Sequence, residues 1–256
     1  MNISLKGKIA VITGATGQLG RVMARTFALC GADIAICYNS NKAMAGILEN
    51  EIKSLNCRAL QVQADITDES SVNRMRDIVK TELGDADIVV NNAVIQYEWT
   101  SILDQSPADF QSQFDSCVMQ SVFTAKAFLP AMMVKGSGRF IGINTECSAL
   151  CEKNAGAYAS AKRGMDGLYR VLAKEAGAKG VTVNQVAPGW TITEKDREEQ
   201  TADPRGFTGS SYATIVPLAR RGTDQEIANV VLFLASELSS FVNGVCIPVS
   251  GGNVMV

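Results

Sequence analysis

Ile9-Ala10-Val11-Ile12-Thr13-Gly14-Ala15-Thr16-Gly17-Gln18-Leu19-Gly20 decides how this chain is read. Four apolar residues without polar alternation read as a strand covered on both faces. The glycines at 14, 17 and 20 then read as a tight turn that opens a helix. A strand, a Gly-rich turn and a helix in that order are the first unit of an alternating α/β chain.

The alternation continues in both directions of the argument. Strands are expected over 8–13, 33–38, 58–64, 87–91, 139–144, 181–186 and 245–249. Helices are expected over 18–30, 42–55, 68–83, 107–134, 155–178 and 223–236. Runs of β-branched residues imply strands buried on both sides, and strand–helix alternation implies right-handed crossovers. The expected fold class is α/β: one Rossmann-type, doubly wound parallel sheet of about seven strands in the order 3-2-1-4-5-6-7, flanked by helices. Residues 1–256 form one domain in this reading. Residues 190–215 are polar and aperiodic, and are read as a substrate lid within it.

Composition narrows the function. The chain has 256 residues, 46% hydrophobic and 20% charged, with a formal net charge of −2, the profile of an ordinary globular protein with a large core. No basic block stands out, so no nucleic-acid partner is expected. The seven cysteines are odd in number and irregularly spaced, which argues against a disulfide framework. Cys147 and Cys151 form a close pair, but the chain has no His, so reduced thiols are expected and no metal. No run of about 18 apolar residues and no leader pattern is read, so no membrane partner and a cytoplasmic location are expected.

The turn itself carries chemistry. Gly14 can make the tight bend, Gly17 can let backbone approach a pyrophosphate, and Gly20 can let helix and strand close. The helix N-terminus then offers N–H groups to phosphates. With this turn, the chain resembles the short-chain dehydrogenase/reductase family, in its single-domain branch, over residues 5–252. That branch usually shows Thr-Gly-x-x-x-Gly-x-Gly; here Gln18 takes the middle glycine, and the spacing Gly-x-x-Gly-x-x-Gly is closer to the epimerase-like branch. Asn91-Asn92-Ala93-Val94 resembles the family's Asn-Asn-Ala-Gly, with Val94 in place of Gly.

The resemblance implies a nicotinamide dinucleotide held by Gly14, Thr16, Gly17, Gln18, Leu19, Tyr38, Asn39, Ser40, Asp65, Ile66, Asn92, Ala93, Val94, Tyr158, Lys162, Pro188, Gly189, Thr191 and Thr193. An acid ending the second strand would repel a 2′-phosphate. Tyr38, Asn39, Ser40, Asn41 and Lys42 stand there instead, so NADP is expected, with NAD possible. Asp65 reads equally as an adenine contact or as a helix cap.

Tyr158-Ala-Ser-Ala-Lys162 resembles the family's Tyr-x-x-x-Lys. Residues four apart share a helix face, and an ammonium beside a phenol with pKa near ~10, together with the positive nicotinamide ring in the oxidised complex, would favour the phenolate. The resemblance implies that Tyr158 exchanges the hydroxyl proton and that Lys162 tunes it and holds the nicotinamide ribose. The family's Ser falls at Thr145, with Ser148 as the rival if the loop register shifts. The family's Asn in the long helix falls at Val118. The turn Pro188-Gly189 is expected beneath the nicotinamide, with Ile192 and Thr193 toward its carboxamide.

Three functions follow. The first is an NADP-dependent oxidoreductase of a carbonyl/secondary-alcohol pair of 3-oxoacyl, sugar or polyol type, with catalytic Tyr158, Lys162 and Thr145. The second is a cofactor-binding homologue with little turnover and a regulatory or structural role, motivated by Gln18, Val94, Val118 and Thr145. The third, carried by the glycine spacing alone, is an epimerase or dehydratase. The partner is a small-molecule substrate, and by resemblance the chain forms a homotetramer or homodimer. In the lid, Glu194, Lys195, Asp196, Arg197 and Arg205 read as a solvated run or as contacts to an anionic or polyol ligand. Gln96, Tyr97 and Trp99 are expected at the pocket.

Overall fold

Four apolar side chains buried on both sides form the central strand β1 (Ile9–Ile12) of the computed structural model, which describes residues 3–198 and 211–255. The chain continues through α1 (Gln18–Leu29), β2 (Asp33–Tyr38), α2 (Lys42–Ser54), β3 (Ala59–Gln63), α3 (Glu69–Glu82) and β4 (Ile88–Asn91). It then runs through α4 (Pro107–Phe114), a π-helical turn (Asp115–Met119), α5 (Gln120–Lys135), β5 (Gly138–Ile143), α6 (Cys147–Leu150), α7 (Gly156–Gly177) and β6 (Val181–Pro188). Beyond these lie β7 (Thr191–Ile192), α8 (Glu194–Glu198), α9 (Ser211–Ile215), β8 (Gly222–Thr223), α10 (Asp224–Ala235), a 3-10 turn (Glu237–Ser239) and β9 (Cys246–Val249).

Seven parallel strands form one sheet in the order β3-β2-β1-β4-β5-β6-β9, the expected doubly wound order with β9 as its last strand. β7 and β8 pair apart from it as a short ribbon. The chain winds outward from β1 one way and from β4 the other, which leaves a crevice at the carboxyl ends of these two strands.

Successive strand residues serve opposite cores. Ala10 and Ile12 pack with Phe27, Leu48 and Ile227 from α1, α2 and α10. Ile9 and Val11 pack with Met75, Phe128 and Met165 from α3, α5 and α7. Neither face meets water, which is why the strands read as unbroken apolar runs. Each fully buried side chain of this size stabilises the fold by about 1.5–3 kcal/mol.

Three elements depart from expectation. The helix expected over 107–134 contains the π turn, which includes Val118. By length and composition, the run Pro107–Lys135 is apolar enough to cross a membrane, contrary to the expectation that no such run exists. Half of its most apolar window is buried inside the protein, and Ala125, Phe128 and Met132 supply one core, so its apolarity is that of a core helix. The described part of 190–215 is not aperiodic but forms β7, α8 and α9. There the Asp196 carboxylate accepts from Thr193 N–H (2.8 Å) and hydroxyl (3.0 Å), and Asp196 N–H donates back to that hydroxyl, a reciprocal cap that seeds α8. Residues 199–210 of the expected lid, Arg205 among them, lie outside the described residues.

Candidate active site

The crevice is held open by a polar seam between β1 and β4. The Thr13 hydroxyl accepts from the backbone N–H of Asn92 (3.0 Å) and of Ala93 (3.1 Å), and donates to Gln120 Oε1 (2.6 Å). Asn92 Nδ2 donates to the carbonyls of Thr13 and Gly14, each at 3.0 Å. Gln120 Nε2 donates to the carbonyls of Ala93 and Ser116, tying the seam to the π turn. Gly14 has φ +60°, and a Cβ there would lie 2.8 Å from Ala93 Cα. A Cβ at Gly20 would lie 2.3 Å from the Gly14 carbonyl oxygen, so helix α1 can meet the turn only through glycine.

The resulting cleft has a volume of about 510 Å³. Gly14, Thr16, Gly17, Gln18 and Leu19 line one side, and Tyr38, Asn39, Ser40 and Asn41 another. Ala64, Ile66, Asn92, Ala93, Val94 and Gln96 complete it. Gly17 starts α1 without any side-chain cap bond, and this helix N-terminus lies in the wall of the cleft. No acid lines the end of β2, and the glycine cradle has no room for a side chain, so the cleft fits a nicotinamide dinucleotide.

Not every residue expected at the cofactor lines this cleft. Asp65 is exposed, and its carboxylate accepts from Thr67 N–H and hydroxyl in a local turn. The cap of α3 is Asp68, which accepts from Ser70 and Ser71, so the cap reading of Asp65 is corrected. Lys42 starts α2 exposed and does not line the cleft. The Thr193 hydroxyl caps α8 as described above, and the Thr191 hydroxyl donates to the Gly189 carbonyl (2.8 Å).

A second pocket of about 500 Å³ is lined by Thr145 and Tyr158 together with Trp99, Glu146, Cys147, Glu152, Gly189, Trp190, Tyr212 and Ile215. Of the two candidates for the family's Ser, Thr145 shares this pocket with Tyr158. Ser148 lines a different cavity, and its hydroxyl donates to the Thr145 carbonyl (2.9 Å). The Lys162 ammonium lies 5.6 Å from the Tyr158 ring centre, is buried, and donates to the Ile143 carbonyl (2.5 Å). Asn144 fixes the end of β5: its Oδ1 accepts from Thr145 N–H (2.8 Å), and its Nδ2 donates to Gln185 Oε1 (2.8 Å).

Helix α7 lacks a side-chain cap of its own. The Tyr97 hydroxyl takes that place by accepting from Tyr158 N–H (2.9 Å), and Trp99 packs between Tyr97 and Tyr158 at 6.5 and 5.8 Å between ring centres. The loop after β4 therefore positions the tyrosine, and the three residues expected at the pocket divide their work: Gln96 lines the cleft, Tyr97 holds α7, Trp99 lines the second pocket.

Burial pushes the Tyr158 phenol above its usual value, while Lys162 and the Thr145 hydroxyl pull it down. Burial is the largest of these influences in the chain alone, where the positive nicotinamide ring of the oxidised complex adds nothing. Glu146 is also raised, chiefly by burial, against the lowering pull of Asn253, Tyr212 and the Trp190 backbone. Its Oε2 accepts from the Tyr212 hydroxyl and from Asn253 Nδ2, each at 3.0 Å. Trp190 meets Tyr212 edge-on at 5.7 Å, and the Arg221 guanidinium stacks 4.6 Å from its ring centre.

Three of the lid charges, Glu194, Asp196 and Arg197, are held in ion pairs. Glu194 meets Arg21 (3.0 Å) and Arg25, Asp196 meets Arg221 (3.2 Å), and Arg197 meets Asp224 (2.8 Å). Gln120, Glu146, Tyr212 and Asn253 were not singled out by sequence. Glu146 had one signal, an acid directly after Thr145; the others reach the site only through the fold.

Among known proteins, a family model described as "Enoyl-(Acyl carrier protein) reductase" matches residues 14–253. The 3-oxoacyl-[acyl-carrier-protein] reductase of Salmonella typhimurium is 33% identical over 255 residues, covering 99% of this chain and 100% of that one. A 7α-hydroxysteroid dehydrogenase solved with NADH and 7-oxo-glycochenodeoxycholic acid is 32% identical with a TM-score of 0.89, over 100% of this chain and 97% of that one. A blue fluorescent protein from a metagenomic library, solved with NADPH, is 30% identical with a TM-score of 0.88, over 98% and 100% of the two chains.

Proposed function

Because the chain belongs to the short-chain dehydrogenase/reductase family and so is an NAD(P)-dependent oxidoreductase acting on a small molecule, we propose that it transfers a hydride between NADP(H) and a carbonyl/secondary-alcohol pair. The observation that carries this reading is the shared wall of Thr145 and Tyr158 in one pocket, backed by Lys162. The nicotinamide, when bound, supplies or accepts the hydride. The Thr145 hydroxyl donates to the substrate carbonyl oxygen and orients it. Burial raises the Tyr158 phenol, and its protonated form is the one needed to deliver a proton to that oxygen during reduction. The Lys162 ammonium stabilises the phenolate left behind.

Gly14, Thr16, Gly17, Gln18 and Leu19 would hold the pyrophosphate, Tyr38, Asn39 and Ser40 the adenosine ribose, and Asn92, Ala93 and Val94 the passage toward the nicotinamide. The absence of an acid among the cleft residues 38–41 supports NADP over NAD. Residues 190–215 serve as the substrate lid of a single catalytic domain. The chain acts as a homotetramer or homodimer, for which exposed Phe241 and Val134 supply apolar surface.

The test is reduction of a panel of 3-oxoacyl thioesters, sugars and ketones, followed by NADPH absorbance. Turnover should fall about 10²–10⁴-fold in Tyr158→Phe with NADPH affinity unchanged. NADPH binding without turnover across the panel would instead favour the non-catalytic reading, which Val118 in the family's Asn position motivates.

A further inference from the structure

The pocket beside Tyr158 contains a buried carboxylate that the proposed chemistry does not use. Glu146, one residue beyond Thr145, is 5% exposed. Its hydrogen-bond partners, the Tyr212 hydroxyl and the Asn253 amide, are neutral. Among the described residues, no basic side chain lies in ion-pair contact with it. Buried carboxylates are ordinarily paired with a cation, because an unpaired charge out of water is costly.

The rest of the wall has the same character. Trp99, Tyr158, Trp190 and Tyr212 present aromatic surface, and Glu152 adds a second, exposed acid. No Lys or Arg is among the described residues lining it. The surrounding cations are directed elsewhere: Lys162 to the Ile143 carbonyl, Arg221 to the Thr191 carbonyl and Asp196 behind the Trp190 ring, and Arg163 and Arg170, which share a separate cavity with Glu146, to Asp166. Aromatic faces attract cations, the more so when desolvated. An anionic substrate would instead meet a like charge in a desolvated site.

We propose that the substrate of this pocket is cationic, a carbonyl compound or alcohol bearing a protonated amine or quaternary ammonium group, which Glu146 and the aromatic wall receive. This rests on the reductase reading above and narrows its substrate class.

The chain has two tryptophans, and both line this pocket, so tryptophan fluorescence reports its occupancy. The probes are choline and its uncharged carbon isostere, 3,3-dimethyl-1-butanol. Each is titrated calorimetrically into NADPH-saturated protein, and fluorescence locates the binding. Choline should quench the tryptophans and bind about tenfold more tightly than the isostere. Glu146→Gln should remove most of that preference, and Glu152→Gln, at an exposed position, should retain it. Equal affinities for the two probes, or a choline preference that persists in folded Glu146→Gln, would overturn the proposal. If that variant does not fold, the wild-type comparison decides alone. Equal affinities in a protein that still reduces neutral ketones through Tyr158 reject only the charged substrate, whereas failure to bind NADPH rejects the reductase reading along with it.

Discussion

A methyl group at Gly20 would stand 2.3 Å from the Gly14 carbonyl oxygen and 2.8 Å from Ala15 Cα. Both are backbone atoms of the Gly-rich turn beside the cleft, so they can yield only if the turn itself moves. Gly20→Ala is expected to abolish NADPH binding in a fluorescence titration even where circular dichroism shows the fold retained; unchanged affinity would reject the cleft as the nucleotide seat. Glu146 gives a second test at this scale. Its folded carboxyl is raised above the usual 4.5 by burial. The contribution of such a group is fully present below pH 4.5 and is lost as pH rises through the folded value. Glu146→Gln removes this loss, so the melting temperature of the variant relative to the parent should rise between pH 4.5 and pH 7. A difference that stays flat with pH would mean that the carboxylate carries no burial cost.

Helix α10 packs against α1 and the sheet, and its start is secured by a capping box. Thr223 Oγ1 accepts from Glu226 N–H (3.2 Å), and Glu226 Oε2 accepts from Thr223 N–H (2.8 Å). Arg220 also grips Glu226 and, with these bonds, holds its carboxyl down at about 2. Thr223→Ala is expected to cost about 1 kcal/mol in denaturant unfolding. A loss near zero would show that tertiary packing alone sets this terminus. The π turn Asp115–Met119 is the element that sequence could not supply. Periodicity gives the same apolar stripe whether or not one extra residue is accommodated, and the bonds of Gln120 to Thr13 and Ala93 that accompany the turn join residues far apart in the chain. Val118 therefore sits in a helix distortion despite lacking the family's amide.

For the molecule as a whole, cofactor and stability are linked. A ligand that binds only the native state adds about 2.7 kcal/mol at a concentration of 100 times its Kd. NADPH should therefore raise the melting temperature by several degrees, and by more than NADH at the same concentration. Equal shifts would remove the case for NADP that rests on Tyr38, Asn39 and Ser40.

The strands, their order and the glycine turn were legible in the chain because two-sided burial and backbone sterics act locally and leave periodic marks. The pairing of Tyr158 with Lys162 was legible for the same reason, since four residues make one helix turn. The meeting of Thr145 with Tyr158 in one pocket, the capping of α7 by Tyr97, and the seating of Glu146 beneath Tyr212 and Asn253 were decided only by the tertiary structure. Each depends on the direction a side chain takes between elements distant in sequence. The balance of charge and burial around Tyr158 and Glu146 exists only once those elements have come together.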